Sequence, residues 1–279
     1  MAAYLRPTAE TEALAALAHG KFTVLAGGTD YYPARVGKAL ADDILDISAI
    51  AALRGIREEA NHWRIGATTI WSELLGAGLP ALFDGLALAA AEIGGVQIQN
   101  AGTIAGNLCN ASPAADGVPP LLTLDARVEI ADARGRSSVA LAEFILGNRS
   151  TLLRSDQLVT AILVPKPAHA ARSHFAKLGA RKYLVVSIVM AAATLEVEAG
   201  RVKAARVAVG AASAVAQRLP LLEAALIGER CDAGLGAHVS AEQLASLAPI
   251  DDVRASREYR LDAALALLRQ VLGELGARA

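Results

Sequence analysis

Cysteine is nearly absent: Cys109 and Cys231 are the only two in 279 residues. Two thiols far apart, with no C-x-x-C spacing, cannot supply the four thiolates of an iron–sulfur cluster. They also match no zinc-ligand pattern and no disulfide framework. Both read as small buried apolar residues, a usage that fits the cytoplasm. Charge of one sign is lacking too, since the formal net charge is −1, which gives no electrostatic footing for nucleic acid or an anionic membrane. No stretch reaches the roughly 20 strongly apolar residues of a membrane span. Residues Met1 to Pro7 show no basic segment followed by an apolar one, so no secretory signal is expected. The common chemical signatures are missing as well: G-x-G-x-x-G after the first strand, Walker A, H-E-x-x-H and G-x-S-x-G. The histidines, His19, His62, His169, His174 and His238, have no metal-ligand spacing and read as surface or structural residues. No metal site and no catalytic residue are assigned.

Hydrophobic residues make up 54% of the chain, much of them alanine, and charged residues 20%. That composition, at this length, predicts an ordered chain with a sizeable core. Near the N-terminus a helix carries Leu14 and Leu17 on one face, with Thr8 or Thr11 as a possible cap. A β-type run over residues 21–25 stops at Ala26-Gly27-Gly28, and a second follows over 43–47. Another strand is read at 63–67, a helix from Thr68 or Thr69 to Leu75, and a helix over 81–93 closed by Gly94-Gly95. Residues 100–120, rich in Gly, Asn, Ser, Ala and Pro, read as a loop. Strands follow at 127–130 and 157–164. Pro165-Lys166-Pro167 marks a boundary. Beyond it a β-hairpin over 187–197 and 201–209 precedes helices at 219–227, 241–247 and 261–275. The fold class is α+β, divided into residues 1–167 and 168–279.

Two glycine-rich segments carry the chemistry. The first is Val24-Leu25-Ala26-Gly27-Gly28-Thr29-Asp30-Tyr31, and the second begins at Gly102-Thr103-Ile104-Ala105-Gly106-Asn107 and runs to Asp116. Turns without Cβ atoms can bring several backbone N–H groups onto a pyrophosphate. Gly27 and Gly28 suit such a nest, with Thr29 adding a hydroxyl. Gly106 and Asn107 suit a second, with Thr103 and Asn107 as side-chain donors. Asp116 can accept hydrogen bonds from ribose hydroxyls. On the residues alone, this indicates a phosphate or nucleotide ligand, while an ordinary turn remains an alternative for each loop.

The pair of loops, in this order and at this spacing, resembles the two FAD loops of the flavoprotein subunits of the molybdenum hydroxylases. That family includes the medium subunit of carbon monoxide dehydrogenase and the FAD domain of xanthine dehydrogenase. Gly102 to Asn107 is similar to its T-I-G-G-N loop, Asn110 to Asp116 to the continuation, and Phe175 to Lys182 to the opening of its C-terminal domain. The resemblance implies a PCMH-like FAD-binding domain of two subdomains over 1–167. A smaller C-terminal domain with a three-stranded antiparallel sheet and helices would follow over 168–279. It implies FAD held by residues Val24 to Tyr31 and by Thr103, Ile104, Ala105, Gly106 and Asn107. Asp116 matches an acidic residue near the cofactor, Val159 a strand position whose backbone reaches it, and Lys177 a lysine near the isoalloxazine.

The sequence departs from the family at three places. Ala105 stands for the first glycine of the Gly-Gly pair, which is tolerable at negative φ and costly at positive φ. Tyr31-Tyr32 replaces aliphatic residues and suits either ring stacking on the cofactor or core packing. Leu184-Val185-Val186 lacks an acidic residue. The cysteine-rich insertion by which some relatives carry an extra cluster is absent, so flavin is expected to be the only redox centre.

The implied activity is that of an oxidoreductase subunit working as a relay. A large molybdopterin subunit oxidises the substrate, and a small subunit passes electrons through 2Fe–2S clusters. FAD in this chain then delivers them to NAD, a quinone or oxygen. The expected assembly is a cytoplasmic dimer of heterotrimers. Two alternatives are a stand-alone flavin oxidoreductase and a scaffold subunit without flavin. The first is disfavoured because residues 168–279 hold only Phe175, Tyr183 and Tyr259 as aromatics.

Overall fold

The computed structural model describes residues 2–37, 41–182 and 184–278. The chain opens with strand β1 (Tyr4–Leu5), helix α1 (Glu10–His19), β2 (Thr23–Leu25) and β3 (Ile44–Asp46). The strands form a parallel sheet in the order β1-β3-β2. Ala13 and Leu17, one turn apart on α1, are buried against Leu45, Ile47, Ile50 and Leu53. Neither threonine caps α1. Its N-cap is Ala9, and Glu12 reaches back to accept from the amides of Thr8 and Ala9.

Next come β4 (Ile56–Glu58), β5 (His62–Gly66), α2 (Trp71–Gly76), α3 (Asp84–Glu92), the single turn α4 (Val96–Gln99), α5 (Ile104–Asn110) and α6 (Val118–Thr123). Thr68 and Thr69 are buried and do not start α2. Their hydroxyls donate to the carbonyls of Leu53 and Gly55. The expected loop over 100–120 in fact holds α5 and α6. The small polar residues that suggest a loop are here a cap and a first turn. Thr103 is the N-cap of α5, its Oγ1 accepting from the Gly106 amide at 3.0 Å. Pro119 and Pro120 fall at the start of α6, where a missing amide hydrogen costs nothing.

The chain continues through β6 (Arg127–Asp132), β7 (Gly135–Ala140), α7 (Leu141–Phe144), β8 (Ile145–Gly147), β9 (Ser150–Thr151) and β10 (Leu158–Pro165). A five-stranded antiparallel sheet, β4-β5-β10-β6-β7, has β10 at its centre. Its core gathers Trp63, Ile65, Trp71, Phe83, Leu86 and Phe144. A bulge between Val159 and Ala161 shifts the register of β10 against β6. Leu158 then packs with the first sheet, while Val159 and Ile162 pack with the second.

After residue 170 the chain forms β11 (Ala171–Leu178), β12 (Val189–Glu198), β13 (Arg201–Gly210), β14 (Gln217–Arg218), α8 (Pro220–Leu226) and α9 (Arg257–Ala277). The three long antiparallel strands match the expected sheet, and the two-residue β14 is added at its edge. The hairpin reading missed β11, whose mixed sequence Ala-Arg-Ser-His-Phe-Ala-Lys-Leu shows no apolar run. β12 is buried on both faces: Ala191, Ala193 and Leu195 meet Leu268, Val271 and Leu275 of α9, and Met190 and Ala192 meet Ala89 of α3. Its near-continuous apolar sequence follows from that position. No described helix is long and apolar enough to cross a membrane.

Candidate FAD-binding site

The first glycine loop leaves the C-terminal end of β2 and the second leads into α5. The structure brings them into contact. A Cβ built on Gly27 would lie 2.0 Å from the Ala101 carbonyl oxygen and 2.9 Å from Gly102 Cα, so only glycine lets the two backbones meet. Gly28 has φ +68°, and a Cβ there would strike the Tyr32 ring at 2.7 Å. The second loop is tied to the sheet core: Trp71 donates its amide to Gly102 O at 3.2 Å, and Ile104 donates to Thr69 O at 3.0 Å. Among the described residues, the amides of Gly27, Gly28, Thr29 and Asp30 donate to no protein group, nor does the amide of Ala105. These N–H groups are free for a ligand.

Between the loops runs a cleft of about 390 Å³, within the range of small-molecule sites. Val24, Leu25, Ala26, Gly27, Gly28, Thr29, Asp30 and Tyr31 line it from one side, Thr103, Ala105, Gly106 and Asn107 from another, and Val159 lies on its wall. Ile104 is fully buried and does not line it. The Asn107 Oδ1 is buried with no hydrogen-bond partner, close to Gly117 and Trp71. Ala105 sits in the first turn of α5 and is not among the residues with positive φ. Alanine is therefore unstrained at this departure from the family pattern.

Neither tyrosine is in the core. Tyr31 lines the cleft with the Arg35 guanidinium 3.7 Å from its ring centre, and Tyr32 is half exposed. The Tyr31 hydroxyl donates to Asp42 at 2.9 Å, and Arg35 pairs with the same carboxylate at 2.6 Å. The Tyr31 hydrogen bond and then the Arg35 contacts hold the Asp42 carboxyl below its usual range. Cys109 is exposed on the cleft wall and not buried as expected, and Cys231 is partly buried against the C-terminal core.

Asp116 and Lys177 lie outside this cleft and meet each other. Lys177 Nζ is 2.8 Å from Asp116 Oδ2, and Ser187 donates to Asp116 Oδ1 at 2.5 Å. Lys177 also donates to the Glu92 carbonyl at 3.2 Å. Burial pushes the Asp116 carboxyl upward, against the pull of Lys177 and Ser187. Each Asp116 oxygen thus already accepts one hydrogen bond from the protein. Lys177 and Glu92 edge a second depression with Gly179 and Arg181. The sequence reading missed Arg35, Trp71, Leu153 and Arg149 as cleft residues. An arginine in a polar turn carries no sequence signal that separates it from a solvated one.

Residues 1–167 match the family model described as the FAD binding domain in molybdopterin dehydrogenase, and 174–275 match the CO dehydrogenase flavoprotein C-terminal domain. The chain belongs to the flavoprotein subunits of the molybdenum hydroxylases. It is 31% identical to the putative xanthine dehydrogenase FAD-binding subunit of Escherichia coli K12, over 100% of this chain and 97% of that one. To the nicotinate dehydrogenase FAD-subunit of Eubacterium barkeri it is 33% identical, over 60% of this chain and 58% of that one. Among solved structures, reconstituted CO dehydrogenase from Oligotropha carboxidovorans superposes with a TM-score of 0.91 at 27% identity, covering 100% of this chain and 99% of that one. These relatives are oxidoreductase subunits. The cleft of this flavoprotein subunit fits a dinucleotide on its own terms. It offers a nest of free amides where no Cβ can stand, an orphaned buried acceptor at Asn107, and apolar walls at Leu25, Ile98 and Leu153.

Proposed function

We propose that this chain is the FAD-carrying electron relay of a molybdopterin-dependent dehydrogenase. The observation that carries the reading is the contact of the two glycine loops at Gly27 and Ala101, which brings residues with unpaired amides to one cleft. Gly27, Gly28 and Thr29, with the free amide of Ala105 across from them, would hold the pyrophosphate, and Gly106 and Asn107 would line the cleft beside it. The backbone of Val159 would meet the cofactor where the β10 bulge turns it inward. Lys177, fixed by Asp116 and the Glu92 carbonyl, would stand near the isoalloxazine. When bound, FAD supplies the redox chemistry, exchanging single electrons with 2Fe–2S clusters and electron pairs with NAD or a quinone. The chain's own part is to bind, orient and exclude water. Among the described residues no group of three or more His, Cys, Asp and Glu is placed to hold a metal.

The proposed partners are a large molybdopterin subunit and a small 2Fe–2S subunit, in a dimer of heterotrimers. The proposed division of labour puts cofactor binding in residues 1–167 and the cover over the lysine end in 168–279. The visible spectrum of the purified chain, followed by release of its cofactor on heating, tests the reading. Flavin bands without an iron–sulfur shoulder, and FAD in the supernatant, are expected. A colourless chain that takes up no FAD on reconstitution would overturn it.

A further inference from the structure

Two guanidiniums reach the cleft, and they differ. Arg35 is neutralised by Asp42. Arg149 has no carboxylate within ion-pair distance among the described residues. It belongs to the two-residue turn Asn148-Arg149 that joins β8 to β9, where Gly147 pairs with Ser150. Its φ is +58°. A turn position with positive φ is one that glycine or asparagine takes without strain, and a long side chain there is uncommon. A strained residue that persists at the rim of a site directs attention to what its side chain does there.

The surroundings hold Arg149 in place. Its amide donates to the Ala111 carbonyl at 2.9 Å, and its Nη1 donates to Asn110 Oδ1. Asn110 is the last residue of α5 and lines the cleft, four residues after Gly106. Residues four apart on a helix share a face, about 6 Å apart along the axis. The guanidinium is thus delivered about one helical turn from the nest proposed for the pyrophosphate, with donors left over after Asn110 is satisfied.

We propose that Arg149 is a further cofactor-binding residue, whose guanidinium takes a phosphate oxygen of the dinucleotide, and that Asn110 is its positioning residue. The inference rests on the FAD reading above. It accounts for an unneutralised arginine beside a cleft and for the strain at its backbone in one step. A residue needed only for the turn would be replaced to advantage by glycine.

That contrast supplies the test, made on the full-length chain by fluorescence titration with FAD and by thermal melting of the apoprotein. Arg149→Gly relieves the positive φ, so its melting temperature is expected to equal or exceed that of the wild type, by about 2–4 °C. Its affinity for FAD should fall roughly ten- to hundredfold, the loss of a charge-assisted hydrogen bond to phosphate. Arg149→Lys should recover part of the affinity, and Asn110→Ala should lose a smaller part without loss of fold. Competition by ADP should weaken in Arg149→Gly, while competition by adenosine stays unchanged. If Arg149→Gly binds FAD as tightly as the wild type, or if adenosine competition weakens as much as that of ADP, the phosphate assignment is wrong. If the wild type itself binds no FAD, the functional reading fails first, and the two failures are told apart by that one control.

Discussion

The glycine cleft and the Asp116–Lys177 contact are both parts of the proposed site, and they are built by opposite means. The cleft is made of backbone: Gly27 against Ala101, free amides from Gly27 to Asp30, and a Thr103 hydroxyl closing the first turn of α5. The contact is made of charge. Asp116 comes from the loop between α5 and α6, Lys177 from β11 and Ser187 from the segment before β12, and all three are buried or nearly so. Backbone donors carry little net charge and lose little on desolvation, so they can wait for an anionic ligand. A buried ion pair is held only by its partners, and each of its charges is a liability once the other is gone. The cleft is therefore expected to govern cofactor affinity. The ion pair is expected to govern how the C-terminal sheet sits on the FAD-binding half.

Removing one side of the ion pair should have the largest effect on stability. In Asp116→Ala, the Lys177 ammonium, 3% exposed, is left without its anion, and a loss of about 3–5 kcal/mol is expected in urea denaturation. The double variant Asp116→Ala/Lys177→Met removes both charges and should recover most of that loss. If the single variant loses under about 1 kcal/mol, water reaches the pair and the contrast with the cleft collapses.

Gly27→Ala comes next. The added methyl would overlap the Ala101 carbonyl at 2.0 Å, and both contacting groups are backbone, so no side chain can rotate away. Overpacking of this kind costs about 1–3 kcal/mol. The expected signature is the reverse of that for Asp116→Ala: modest destabilisation but loss of FAD uptake, read as the ratio of flavin to protein after reconstitution. A Gly27→Ala chain that takes up FAD normally would show that the meeting of the loops is not what shapes the site.

A smaller effect is expected from Thr103→Val. The substitution keeps the shape and removes the oxygen that accepts from the Gly106 amide at 3.0 Å. Loss of an N-cap costs about 1 kcal/mol, measurable by thermal melting. Because Thr103 also lines the cleft, a fall in FAD affinity beyond that explained by stability would separate a ligand contact from a capping role.

The two loops were legible in the sequence because runs of glycine and small polar residues have few structural uses, and because their order and spacing are specific. β5, β12 and β13 followed from apolar patterning, with ends within about two residues of those observed. What escaped shares a cause: local sequence does not say what a residue will meet. The stretch over 100–120 reads as loop by composition, yet a cap at Thr103 and prolines at the start of α6 give it one helix and the beginning of a second. Asp116 reads as a ribose acceptor, and nothing near it in the chain says that Lys177, 61 residues later, and Ser187, 71 residues later, also reach its two oxygens. Arg149 reads as one more polar turn residue until Asn110 places it at the cleft.

The finest test of the comparison is Ala105→Gly, which restores the glycine usual in this family. Ala105 is buried, lies in the first turn of α5, and has no positive φ for glycine to relieve. Replacing it removes a packed methyl and adds freedom to the unfolded chain, together worth about 0.5–1 kcal/mol of lost stability. The Ala105 amide, which the structure leaves free, is present in either residue, so FAD affinity should stay within about twofold, well under the tenfold that 1.4 kcal/mol would produce. If the cleft works through its backbone, the side chain at 105 matters to the helix and not to the ligand. Tighter FAD binding in Ala105→Gly would mean instead that the methyl keeps the cofactor at a distance, and that the wall of the cleft, and not only its amides, sets how closely the pyrophosphate can approach.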